Sequence, residues 1–135
     1  MNRGEATGRA VAYWLEKARE CLEAARDEQR AGRLAFAVNR AYFAAFYAAS
    51  AVLLSRGHRF AKHSGVRAVL HRQLVKTGLL EERWGRLYDR LFEERQHGDY
   101  VEFVSFDGKD VATVVEQAAA LVAELSRLPA PVVEG

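Results

Sequence analysis

A chain of 135 residues, half of them hydrophobic, is long enough for one domain with a real core and too short for two. Its single cysteine, Cys21, excludes an intrachain disulfide and fits a reducing cytoplasm, and the polar start from Met1 to Gly8 has no apolar signal core. The net charge is only +2, but it is segregated: between Glu28 and Glu81 lie 52 residues with no Asp or Glu, nine Lys or Arg and three His.

From Glu81 onward the balance reverses, with twelve acids against six basic residues. A cationic middle attracts phosphate, as nucleic acid or nucleotide, or an acidic partner surface. The plain alternative is a solvated face. Sixteen of the twenty cations are Arg, and compositional bias explains that choice but not the missing acids.

In chain order, Val11, Trp14, Leu15, Ala18, Cys21, Leu22 and Ala25 recur at three-four spacing and predict a first helix with one apolar stripe. Gly32 is its stop. The second helix is expected from about Arg33 to Arg56, apolar nearly all round and therefore central, ending at Gly57. Its stretch Leu34 to Leu54 approaches membrane-span length, but Asn39, Arg40 and frequent Tyr mark a buried helix with no membrane role. His58–Lys62 reads as a loop. Ser64 can cap a third helix with core positions Val66, Val69, Leu70 and Leu74, stopped by Gly78. A fourth helix, about Leu80 to Gln96, turns Trp84, Leu87, Leu91 and Phe92 inward and ends at Gly98. Val101 to Phe106 reads as an extended loop. Asp107 then caps a last helix with the stripe Val111, Val114, Ala118, Leu121, Val122, Leu125 and Leu128. The sum is an all-α, up-and-down bundle of about five helices. It forms a single domain over residues 1–135, with 1–7 and 129–135 as flexible tails.

Metal chemistry is poorly served. There is one Cys, and Arg67 stands between His63 and His71, so neither a metal nor a cofactor is expected. Three features remain. His63, Arg67 and His71 share one face of the third helix and form a cationic stripe, with Arg72 and Lys76 adding charge beside them. At the end of the fourth helix, the stripe Trp84, Leu87 or Tyr88, Leu91 continues at Arg95. An unpaired buried guanidinium is too costly to expect, so Arg95 calls for a partner. Asp99 is the nearest candidate, with Tyr100 beside it, either as a structural clamp or as the floor of a phosphate cleft. On the second helix Arg40 lies amid Phe36, Phe43 and Tyr47. If Arg40 and Arg95 converge, an anion or Asp99 has to balance them.

Asn39 to Ala49, with Arg40, Tyr42, Phe43 and Tyr47, resembles the second helix of the HEPN superfamily (higher eukaryotes and prokaryotes nucleotide-binding). Lys62-His63-Ser64-Gly65-Val66 is similar to that family's loop before the third helix, and Glu94-Arg95 with Asp99-Tyr100 to its fourth-helix signature in the small stand-alone prokaryotic branch. The resemblance covers residues 8 to 128. It implies a homodimeric helical bundle, a toxin-like component encoded beside a minimal nucleotidyltransferase antitoxin, and in many members metal-independent cleavage of RNA. In that chemistry His and Arg supply base, acid and charge for attack by the ribose 2′-OH. The family's catalytic signature is an Arg, four to six residues, then a His. From Arg95 that His is absent, because Tyr100, Val101 and Glu102 stand there. Arg90 and His97 fit the spacing, but on the outer side of the helix with Arg83 and Arg86. The implied catalytic group is therefore Arg95, Asp99, Tyr100 and His97, and the binding group Arg40, Tyr47, Lys62, His63, Arg67 and Arg90. Three roles stay open: endoribonuclease, non-catalytic nucleotide- or RNA-binding module, and partner subunit whose Tyr100 receives a nucleotide.

Overall fold

The computed structural model describes residues 2–58, 63–100 and 106–130, with residues 63, 64 and 97–100 described by their backbone alone. The expected loop at Val101–Phe106 therefore falls almost wholly outside the described residues, as do Arg59–Lys62 and the chain beyond 130. Everything described is helix or the turns between helices. Helix α1 spans Arg3–Arg30, α2 Leu34–Ser55, α3 His63–Leu70, α4 Glu82–Tyr100 and α5 Gly108–Ser126.

Helix α1 begins where a tail was expected. The Asn2 side chain accepts a hydrogen bond from the Glu5 amide at 2.8 Å, satisfying one of the orphan donors of the first turn. Gly32, Gly57 and Gly78 carry φ of 79°, 92° and 83°, so three predicted stops sit in the left-handed region that a side chain would strain. At Asp107 the carboxylate accepts from the Lys109 amide at 2.7 Å, and α5 starts as its cap predicts.

Gly98 does not end α4, which runs on to Tyr100. A glycine inside a helix costs only about 1 kcal/mol, so it stops a helix only where the backbone also turns left-handed.

Helix α2 is the centre of the bundle and meets every other helix. Its pairing with α1 is the most extensive. Ala37, Ala41, Ala44, Ala45 and Ala48 are wholly buried, as are Ala18 and Ala25 of α1, and side chains this small let two backbones approach closely. Among the described residues α2 is the one helix long and apolar enough to cross a membrane. In the bundle 61% of that stretch is buried, the pattern of a core helix.

Helix α3 does not end at Leu70 but widens into a π-helical turn, His71–Val75, in which the Lys76 amide donates to the His71 carbonyl at 2.9 Å. The widened turn lies against α4 at Gly85. A Cβ built there would stand 2.8 Å from His71 Cε1 and 2.9 Å from Val75 Cγ2. Gly85→Ala thus sets about 1 kcal/mol of helix propensity against an overpacking cost of about 1–3 kcal/mol. The expected net result is a lower melting temperature, read by thermal unfolding. A variant as stable as the parent contradicts this packing.

Candidate functional site

The site grows from one residue of α2. Tyr42 is wholly buried, and its ring meets Phe43 at 5.2 Å, Phe46 at 6.2 Å, Tyr88 at 6.0 Å and Phe92 at 5.8 Å between centroids. Burial pushes the phenols of Tyr42 and Tyr88 above their ordinary range, Tyr88 well above. At Tyr42 the Tyr88 hydroxyl and then the guanidinium groups of Arg95 and Arg67 pull the other way. Two cations from two different helices therefore act on one phenol.

Their geometry bears this out. The Arg95 guanidinium of α4 lies 5.6 Å from the Tyr42 ring centre and 5.3 Å from that of Phe43. The Arg67 guanidinium of α3 lies 4.9 Å from that of Phe92. Each ring face attracts a cation and presents it as a flat plate. Arg67 is held further by Asp89, with Nε 3.0 Å from Oδ1. The same carboxylate oxygen accepts from His71 Nε2 at 2.9 Å. Arg67, His71, Asp89 and Phe92 line an open cavity of about 420 Å³.

The placement limits what His71 can do. One ring nitrogen is committed to Asp89. The other, Nδ1, faces α4, 3.2 Å from where a Gly85 Cβ would stand. His71 thus steadies Asp89, which steadies Arg67. The arrangement suits holding an anion better than moving a proton.

The sequence expectations fare unevenly. Arg95 continues the inward stripe of α4 as expected and sits half-buried on the aromatic cluster. Arg40 does not line a buried seam. It is exposed, and burial pushes up the nearby Cys21 thiol of α1 against the opposing charge of Arg40. Its companion Phe36 is 63% exposed, whereas Phe43 and Tyr47 further along the same stripe are half-buried and pack against the core. Among the described residues, the second guanidinium that acts with Arg95 on the Tyr42 phenol is that of Arg67. Tyr47 stacks on Trp14 of α1 at 5.2 Å and 18° and joins the edge of the cluster through Phe43 and Phe46. Arg67 and His71 share a face, as their spacing predicts, but they converge on Asp89 instead of forming an open stripe. Arg90 points to the outer side of α4 and donates to Gln117 Oε1 at 3.3 Å. Lys62 and the side chains of His63, His97, Asp99 and Tyr100 lie outside the described residues.

Two contributors were missed, Asp89 and Phe92 in its site role. The available signal was Asp89 itself, an acid one residue past buried Tyr88 on the helix that must pack against α3.

With this geometry in view, comparison with known proteins decides the family. The profile of the HEPN domain matches residues 11–128. The chain belongs to the HEPN domain family. It is 42% identical over 128 residues, 95% of both chains, to a "UPF0332 protein" of Thermotoga maritima. Two proteins of Methanocaldococcus jannaschii, each named as a "putative toxin", are more distant. One is 33% identical over 86 residues, 64% of this chain and 58% of its own length. The other is 32% identical over 92 residues, 63% of this chain and 69% of its own length. The all-α HEPN bundle expected from three short motifs is thus the fold observed.

Proposed function

We propose that this HEPN protein is the toxin-like member of a pair with a small nucleotidyltransferase, and that it works on RNA in the cytoplasm as a homodimer. The observation that carries the reading is the pair of guanidinium groups, Arg67 and Arg95, flanking one aromatic cluster. Cations on ring faces suit a strand that offers both phosphates and stackable bases. The names of the two archaeal relatives agree with the toxin assignment.

The reaction proposed is metal-independent cleavage. The ribose 2′-oxygen forms a bond to phosphorus as the bond to the 5′-oxygen breaks. One proton leaves the 2′-hydroxyl and one is delivered to the departing oxygen. Arg95 and Arg67 offset the added negative charge. The proton carriers are sought in the signature from Arg95 to Tyr100, since His71 is committed elsewhere.

Incubation with single-stranded RNA in EDTA tests this directly. The expected products carry 2′,3′-cyclic phosphate and 5′-hydroxyl ends. Intact RNA at high protein concentration contradicts cleavage. The bond of His71 Nε2 to Asp89 favours one second reading, a module that holds RNA without cutting it. That reading predicts steeply salt-dependent binding with no products.

A further inference from the structure

The side of α4 opposite Arg95 carries a second cationic concavity. Arg83, Arg86 and Arg90 recur there at three-four spacing and, with Trp84 from α4 and Gln117 and Ala120 from α5, line a cavity of about 420 Å³. That volume lies within the range of small-ligand sites.

We propose that this groove is a binding site for a phosphorylated nucleoside, separate from the Arg67–Arg95 cluster and independent of the function assigned to it. Four observations carry the proposal. First, no acid lines the cavity among the described residues. Second, the acids paired with its arginines are Glu81 and Glu82, which meet Arg83 at 3.4 Å and Arg86 at 3.2 Å. Both pairs are well exposed, and ion pairs of that kind hold their partners weakly. Arg90 donates to the neutral Gln117 amide. Third, the Arg83 guanidinium already lies 4.6 Å from the Trp84 ring centre, so the indole presents its face to a flat group. The indole N–H is enclosed and has no partner among the described residues, which leaves that face as what Trp84 offers. Fourth, Ala120 is small and leaves the α5 wall open.

The geometry assigns the parts of the ligand. Arg86 and Arg90 stand one helical turn apart and can close on one phosphate, each through a planar fork of donors. The base takes the ring face of Trp84 that Arg83 now covers, and the Gln117 amide can bond to its edge or to the sugar.

The nucleoside phosphate can be a free nucleotide or one unit of an RNA strand. The full chain is titrated at low salt with adenosine 5′-monophosphate and, separately, with a single-stranded RNA hexanucleotide. The readout is the Trp84 indole N–H and Gln117 amide resonances. Trp14, the other tryptophan, is the folding control. A saturable movement of Trp84 is expected. With the mononucleotide it identifies a free nucleotide, and with the hexanucleotide alone it identifies a strand unit. The double variant Arg86→Ala/Arg90→Ala should bind at least about tenfold more weakly. Arg19→Ala, which removes an exposed cation paired with Glu16 on α1, should bind as the parent does. The proposal is overturned if neither probe moves Trp84, if the double variant titrates like the parent, or if Arg19→Ala weakens binding as much.

Discussion

Arg95→Ala is expected to weaken binding of single-stranded RNA by about ten- to a hundredfold, the range for losing one charge-assisted phosphate contact. Where cleavage is measured, the rate should fall at least about a hundredfold, because the lost cation acts where charge develops. The fold should survive. The contacts of Arg95 with the rings of Tyr42 and Phe43 are worth about 0.5–1 kcal/mol each, a small part of the about 5–15 kcal/mol that holds a domain together. Arg95→Lys keeps the charge but loses the planar fork, so it should fall between alanine and the parent. Arg19→Ala is the control, since its guanidinium is exposed on α1 and paired with Glu16. Anisotropy titrations of the four proteins with labelled RNA give the order. Equal losses in the Arg19 and Arg95 variants would mean that general surface charge, not the cluster, binds the strand.

Tyr42→Ala has the largest expected effect on stability. The ring is wholly buried and touches four other aromatic rings from two helices, so removing it should cost about 3–5 kcal/mol. For a domain of this size that corresponds to a fall of about 10–20 °C in melting temperature. Tyr42→Phe keeps the ring and should cost only about 1 kcal/mol. It should also keep RNA affinity, because Arg95 rests on the ring face. Thermal unfolding of the two variants separates the ring from the hydroxyl. A tolerated alanine would mean that the aromatic cluster does not anchor α2 to α4.

The sequence reading succeeded where a single residue type forces the backbone. Gly32, Gly57 and Gly78 hold φ values that other residues resist, and Asp107 caps α5 through two amides. It failed at Gly98, where a glycine is merely tolerated, and at Asn2, where a cap extends the helix into an expected tail. At the site, Arg95 was legible because the inward stripe of α4 runs directly into it. The exposure of Arg40 was not legible in the same way. Phe43 and Tyr47 are half-buried, as their stripe suggested, but the start of that stripe, with Phe36 and Arg40, lies exposed. Asp89 escaped notice because its role depends on the π-helical turn that brings His71 against α4. No periodicity in the chain announces that turn.

The central claim is that Arg67 and Arg95 together grip RNA phosphate, and the salt dependence of binding tests it most directly. For single strands the slope of log affinity against log salt changes by about 0.7 for each phosphate charge neutralised. The Arg67→Ala/Arg95→Ala double variant should therefore bind more weakly and lose about 1.4 from that slope. A double variant with the parent's slope, or with a loss no greater than that of Arg19→Ala, would show that the two guanidinium groups do not hold the strand.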